Sequence, residues 1–179
     1  MNREEGADQT FSELFDEFYP QLLRIAWRIC GSQEVAEELC QEAFLRYYER
    51  RRRLPRGREA GYWLIRVVKN LALSHEKRAR REREVYRDFA NRPMSKSLNQ
   101  GEIAVLSDES RKHVQKALLK VPYKLRVPLI LKEYSGYPYS IIARILHITE
   151  NNVKIRIFRA RQHLLKYLRK GDLYVPQGL

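Results

Sequence analysis

Asn151, Asn152, Lys154, Arg156 and Arg159 lie close together near the C-terminal end of a 179-residue chain, and their side chains share one kind of chemistry. Arginine presents a planar fork of donors that matches the two acceptors on a guanine edge. Asparagine pairs in the same bidentate way with adenine, and lysine neutralises phosphate. On a helix, Asn152, Arg156, Arg159, His163 and Lys166 fall on one face, while Val153, Ile157, Ala160, Leu164 and Leu168 recur at core-facing spacing on another. Just before them Ile142, Ala143 and Leu146 give a short helix an apolar face, and His147-Ile148-Thr149 suits a tight turn. Two helices joined in this way make a helix-turn-helix, with Arg144 of the first helix placed for phosphate. The competing reading is an ordinary solvated basic face, which is what charge runs usually mean.

The charge distribution weighs against that blander reading. A net charge of +13 is arranged in blocks. Residues 1–45 carry 3 basic and 10 acidic side chains, 46–83 carry 14 and 4, 84–110 carry 3 and 5, 111–170 carry 15 and 2, and 171–179 carry a single acid. Two strongly cationic blocks separated by a mildly acidic one match two contacts with a polyanion joined by a linker.

Other chemistries lack their residues. Cys30 and Cys40 sit in apolar helical patterns rather than in a C-x-x-C pair, and His75, His113, His147 and His163 show no ligand spacing, so no metal and no cofactor is expected. Paired carboxylates, a nucleophile with its base and a glycine-rich phosphate loop are missing, and the chain does not read as an enzyme. No apolar run reaches the length of a membrane span, and Met1-Asn2-Arg3-Glu4-Glu5 is polar, unlike a secretory signal. These features predict a soluble cytoplasmic protein without direct membrane insertion, its cysteines acting as small buried hydrophobes.

The elements that must position the basic residues all show the 3.6-residue period, so the fold class is all-α. Phe11, Leu14, Phe18, Leu22, Ile25 and Ile29 mark a first helix that Gly31 can end in a left-handed cap. Ser32 then offers an N-cap, with Glu34, Glu37 and Glu38 near the positive end of a second helix that packs through Ala36, Leu39, Cys40, Ala43 and Tyr47. Pro55 and Gly57 break it, and a third helix from about Glu59 runs through Trp63, Leu64, Val67 and Leu71 into Lys77–Arg81. Periodicity fades from about Val85 to Ser107, which predicts a flexible linker. A second bundle starts near Glu109 with Val114, Leu118 and Val121, Pro122 opens its next helix, and Gly136-Tyr137-Pro138 leads into the helix-turn-helix. The expected organisation is two small helical bundles: residues 8–86, a linker 87–108, residues 109–170 and a tail 171–179.

Three segments in this order resemble the extracytoplasmic-function sigma factors, the smallest promoter-recognition subunits of bacterial RNA polymerase. They are Ala36-Glu37-Glu38-Leu39-Cys40-Gln41-Glu42-Ala43-Phe44 (family pattern A-E-D-L-V-Q-E-V-F), Trp63-Leu64-Ile65-Arg66 through Asn70-Leu71-Ala72, and the helix-turn-helix ending Arg159-Ala160-Arg161. The resemblance implies that Glu38, Gln41, Glu42 and Phe44 dock on core RNA polymerase: carboxylates and an amide bond to arginines of a partner helix, and an exposed phenylalanine anchors the contact. Phe44 read alone fits a core position equally well. The resemblance further implies that the block 46–83 handles the promoter -10 element, with Arg56, Arg58, Arg66, Lys69, Asn70, Lys77 and Arg78 on the DNA side and Trp63 in the core. Capturing a melted strand needs cations along phosphates and surfaces for bases, and these residues supply the cations. Arg144, Asn151, Asn152, Lys154, Arg156 and Arg159 would then serve the -35 element, and an anti-sigma factor is expected as a further partner.

The departures from the family pattern bear on detail. His147 stands where the family has glycine in the turn, Ile141 where it has glutamate, Asn152 where it has threonine and Ser74 where it has aspartate, so the promoter sequence cannot be transferred from relatives. Two other classes stay open from the residues alone. One is a stand-alone helix-turn-helix regulator whose first bundle dimerises, and the other is a basic RNA-binding helical protein. Co-purification with RNA polymerase separates the first reading from both.

Overall fold

The computed structural model describes residues 5–89 and 107–169. They form seven helices: α1 (Glu5–Cys30), α2 (Gln33–Arg50), α3 (Arg58–Phe89), α4 (Ser107–Lys120), α5 (Tyr123–Glu133), α6 (Tyr139–Leu146) and α7 (Glu150–Arg169). No strand occurs among the described residues, as the uniform helical period requires. None of the described helices is long and apolar enough to cross a membrane. α3 continues to Phe89, past the point where apolar periodicity fades, because its last turns are rich in Arg, Glu and Lys, which are good helix formers even without a core to face. The expected linker therefore falls mostly, and the expected tail entirely, outside the described residues.

Local signals set the helix ends. Gly31 adopts a left-handed conformation (φ 80°) and its N–H donates to the Trp27 carbonyl at 2.7 Å. Ser32 follows in an extended conformation, and its hydroxyl accepts from the Val35 N–H at 3.3 Å, which satisfies one of the orphan donors of α2. Tyr47 donates its hydroxyl to the Pro55 carbonyl at 2.8 Å and so holds the loop between α2 and α3 against the first bundle. Gly61 lets α3 approach α1, since a Cβ there would lie 2.3 Å from the Phe18 ring.

α1–α3 enclose Leu22, Ile25, Ile29, Leu64 and Val68, and α4–α7 enclose Leu118, Val121, Ile130, Leu131, Ile142, Ile145 and Ile157, all nearly inaccessible to water. The two cores are continuous with one another. Side chains of each bundle donate to carbonyls at helix ends of the other. Gln115 of α4, itself buried, donates to the Trp27 and Arg28 carbonyls at the end of α1 (3.4 and 3.3 Å) and accepts from Arg28 Nη1 at 3.1 Å. Arg66 of α3 donates from Nε to the Ile145 carbonyl (3.2 Å) and from Nη2 to the Arg144 carbonyl (3.4 Å) at the end of α6. Tyr123 donates its hydroxyl to the Lys69 carbonyl, and Arg126 reaches Glu76 at 2.6 Å. The expectation of two helical bundles holds, and they are packed directly together.

The α6–α7 turn carries the one non-glycine residue with positive φ among those described, His147 at φ 53°, ψ 50°. Its N–H donates back to the Ala143 carbonyl, and the side chain is exposed. An L-residue pays a steric cost there that glycine avoids. His147→Gly is therefore expected to raise the free energy of unfolding by up to about 1 kcal/mol, read as a higher denaturation midpoint. A lower midpoint would mean that the imidazole contributes a contact worth more than the relieved strain.

Candidate nucleic-acid interface

α7 starts on a capped turn: the Thr149 hydroxyl accepts from the Asn152 N–H at 3.2 Å, and the Thr149 carbonyl accepts from the Val153 N–H at 3.1 Å. Val153, Ile157 and Ala160 are buried at 1 % exposure or less, which sets the rotation of the helix. Asn151, Asn152, Lys154 and Arg159 are exposed in consequence. Arg156 is half-buried at the flank of the core stripe, so it does not project outward with Arg159 as the expected face required. The side chains at the outermost ridge include two apolar ones absent from the predicted set, Phe158, 63 % exposed, and Ile155, 39 % exposed. Their signal was available, because Phe158 lies five residues after Val153 and thus well away from the core stripe.

Arg144 is exposed but already occupied. Its Nη2 lies 2.5 Å from Glu59 Oε1 of α3, and its guanidinium lies 5.0 Å from the Tyr62 ring centroid. Tyr62 in turn meets Tyr137 edge to face at 5.8 Å. The expected phosphate contact of Arg144 thus competes with an ion pair between the bundles.

On α3 and the loop before it the expected cations divide into two groups. Arg56, Arg58, Asn70, Lys77 and Arg78 are exposed. Arg66 and Lys69 are half-buried where the second bundle packs, Arg66 through the two carbonyls named above. Burial, reinforced by the nearby Arg66 charge, pushes the Lys69 ammonium pKa down. Trp63 is partly buried, with its ring 5.8 Å from Tyr47 in an edge contact, and packs against the core as expected.

On α2 the polar group Glu38 and Gln41 is exposed, and Glu42 is partly exposed and paired with Arg46 at 2.7 Å. Phe44 is not an exposed anchor. It is 3 % exposed and sits among Phe11, Phe15 and Tyr19, with the Phe15 ring centroid 4.7 Å away. The reason is its spacing from Cys40 and Tyr47, which puts all three on the core side. The large apolar side chain that does stand out beside Gln41 is Leu45, at 54 % exposure. Its position one helical turn after Gln41 was the missed signal. Burial raises the thiol pKa of Cys30 and pushes that of Cys40 up to about 12, so both stay protonated and inert at neutral pH.

An acidic helix face, a cationic helix face and a helix-turn-helix with a basic outer surface are the features of a helical nucleic-acid-binding protein. The family model for Sigma-70 region 2 matches residues 14–82, and that for Sigma-70 region 4 matches residues 111–164. The chain is 31 % identical over 178 residues to the ECF RNA polymerase sigma factor SigE of Mycolicibacterium smegmatis, covering 98 % of this chain and 68 % of that one. It is 30 % identical over 171 residues to the RNA polymerase sigma-H factor of Pseudomonas aeruginosa, covering 91 % and 88 %, and 29 % identical over 171 residues to SigW of Bacillus subtilis, covering 92 % and 91 %. Among solved structures, the sigma factor RpoE of Bartonella quintana in complex with the anti-sigma factor NepR has the same fold, with a TM-score of 0.68 at 23 % identity over 91 % of this chain and 98 % of that one. The chain belongs to the extracytoplasmic-function sigma factors of the sigma-70 family. It is a sigma factor for transcription initiation and not an enzyme.

The burial of Phe44 separates two roles on α2. Phe44→Ala is expected to lower stability by about 3–5 kcal/mol, as for other buried phenylalanines, whereas Leu45→Ala should change it by less than about 1 kcal/mol. Chemical denaturation of the two variants checks this, and equal midpoints would show that Phe44 is not packed as described.

Proposed function

We propose a division of labour among three surfaces. The α2 face with Glu38, Gln41, Glu42 and Leu45 docks on core RNA polymerase, the carboxylates and amide meeting arginines and Leu45 supplying the apolar anchor in place of Phe44. The α3 face and its preceding loop hold the -10 strand through Arg56, Arg58, Asn70, Lys77 and Arg78, with Arg66 and Lys69 joining once the second bundle moves away. The α7 face reads the -35 element, Asn152 and Arg159 at base edges and Lys154 at phosphate, with Arg156 on the flank and Arg144 released from Glu59. The observation that carries this reading is the burial of Val153, Ile157 and Ala160, which turns Asn151, Asn152, Lys154 and Arg159 to solvent together.

The packing of the bundles supports a further part of the reading. Elements named -10 and -35 are centred about 25 base pairs apart, or about 85 Å along B-form DNA. Arg66 and Arg144, assigned to different elements, lie within a hydrogen bond of one another. Both elements cannot be held in that arrangement, so the bundles separate on the promoter, and the free chain binds DNA weakly and with steep salt dependence. The protein works in the cytoplasm, where the polymerase is. The Bartonella relative in complex with an anti-sigma factor supports a partner of that kind here, sequestering the chain until it is needed.

Replacing Glu38, Gln41 and Glu42 together by alanine is expected to leave helical content unchanged while weakening binding to core polymerase at least tenfold in a titration. Unaltered affinity with intact helicity would remove the docking role. Tight, sequence-specific binding by the free chain at physiological salt would favour a stand-alone regulator instead. Within α7, Arg159→Ala is expected to cost roughly 1–3 kcal/mol on the preferred -35 sequence and to relax preference at one base position. Lys154→Ala should weaken all sequences about equally, since a phosphate contact carries no base information. Binding-site selection with reconstituted holoenzyme tells the two outcomes apart.

A further inference from the structure

Two of the cations assigned to DNA are held by the opposite bundle. Arg66, on the -10 face of α3, donates to the Ile145 and Arg144 carbonyls in the last turn of α6. Arg144, in that same turn, reaches back with Nη2 to Glu59 Oε1 of α3 at 2.5 Å, and its guanidinium lies 5.0 Å from the Tyr62 ring centroid. The contacts are reciprocal: a -10 cation rests on the -35 bundle, and a -35 cation rests on the -10 bundle. A strand that takes up Arg66 has to draw α3 away from α6, and a phosphate that takes up Arg144 has to break its pair with Glu59, two turns before Arg66 on the same helix.

Neither exchange is local, because the junction continues along α3. The Lys69 carbonyl accepts from the Tyr123 hydroxyl, and Glu76 meets Arg126 Nη2 at 2.6 Å. Glu59, Arg66, Lys69 and Glu76 are spaced by seven, three and seven residues, which places them on one face over about 25 Å of helix. Arg126 is 2 % exposed, so a closed junction in which it has lost Glu76 leaves a buried guanidinium without its carboxylate, a costly state. Packed interfaces of this kind have discrete made and broken arrangements. We propose that the junction is a coupling device. It holds the free chain closed with both DNA surfaces partly masked, and engagement of either surface opens it and raises the affinity of the other, equally in both directions. This rests on the assignment of α3 and α7 to the -10 and -35 elements, and adds that the two sites depend on one another in the absence of polymerase and of any inhibitor.

The test uses the full chain without polymerase and two probes, a single strand and a separate duplex carrying the -10 and -35 sequences that reconstituted holoenzyme selects from randomised DNA. Affinity for the labelled single strand is titrated at low, fixed salt with the duplex absent and then saturating. The duplex is expected to raise that affinity by about fivefold or more, and the single strand should raise affinity for the duplex by the same factor. Two polyanions competing for one surface would lower affinity instead, so the sign of the effect is diagnostic. Glu76→Ala and Tyr123→Phe each remove one junction contact and alter no residue assigned to DNA or polymerase. Both variants should bind the single strand more tightly than wild type when the duplex is absent, and both should show a smaller coupling. Helical content should be unchanged, since the Glu76 side chain is about half exposed and the Tyr123 change removes one hydroxyl. Absence of coupling in the wild-type chain would overturn the proposal. So would coupling of equal size in wild type and both variants, which would place its origin outside the junction. If holoenzyme selects no -10 or -35 sequence, the underlying assignment of the surfaces fails. If it selects both and the free chain shows no coupling, the present inference alone fails.

Discussion

A guanidinium can leave water only if its donors find new acceptors, and Arg126, 2 % exposed, meets that requirement with groups from both bundles. Its Nη1 donates to the Leu119 carbonyl at 2.7 Å and to the Val121 carbonyl at 3.5 Å, closing the turn between α4 and α5. Its Nη2 bonds Glu76 of α3 at 2.6 Å, and its guanidinium lies 5.5 Å from the Tyr123 ring centroid. Nε has no protein partner. Because Tyr123 also donates to the α3 backbone, the start of α5 is fastened at two neighbouring points of α3, and the position of the second bundle follows. Gly31 contributes by its lack of a side chain, since a Cβ there would come within 2.4 Å of a Leu119 methyl group.

The same fastening governs the charge. Both cationic blocks belong to surfaces that would repel one another if brought together uncompensated. At the junction the structure answers repulsion with local acids and carbonyls: Glu59 for Arg144, Glu76 for Arg126, and the end of α6 for Arg66. The Glu59–Arg144 pair has both side chains about half exposed, so it is weak. The pair made by Arg126 is different in kind, because leaving a buried guanidinium unpaired is costly. Opening the junction therefore has to rehydrate Arg126, while the exposed pair opens at little cost. Arg144 is thus held by a solvent-exposed partner, whereas the buried Arg126 is held by two carbonyls and a carboxylate.

Much of this organisation was legible in the sequence because its signals are local. Gly31, Ser32 and Pro122 lie at helix ends where backbone chemistry wants them, and the period of Val153, Ile157 and Ala160 set the rotation of α7 without reference to any other element. The family resemblance likewise rests on contiguous segments. Local signals are insufficient where a residue's surroundings come from distant parts of the chain. Phe44 is read from its own segment as anchor or core alike, because the aromatic residues that enclose it, Phe11, Phe15 and Tyr19, belong to a different helix. Arg156 shares a helix face with Arg159 by angle, yet it sits far enough round the helix to be partly covered at the flank of the core.

Sequence by itself determined the all-helical class, the two bundles, the helix-turn-helix and the inventory of cations, since periodicity, capping and net charge are properties of neighbouring residues. Tertiary structure decided which of those cations are free. Arg66 and Lys69 carry the same basic signal as the exposed Lys77 and Arg78, yet Arg66 spends hydrogen-bonding capacity on the second bundle and Lys69 loses solvation by burial. It also decided that Leu45, Ile155 and Phe158 stand outside the core, because whether an apolar side chain is buried depends on whether another element covers it. Helix period can place a residue on a face, but only the packing of distant segments determines what that face meets.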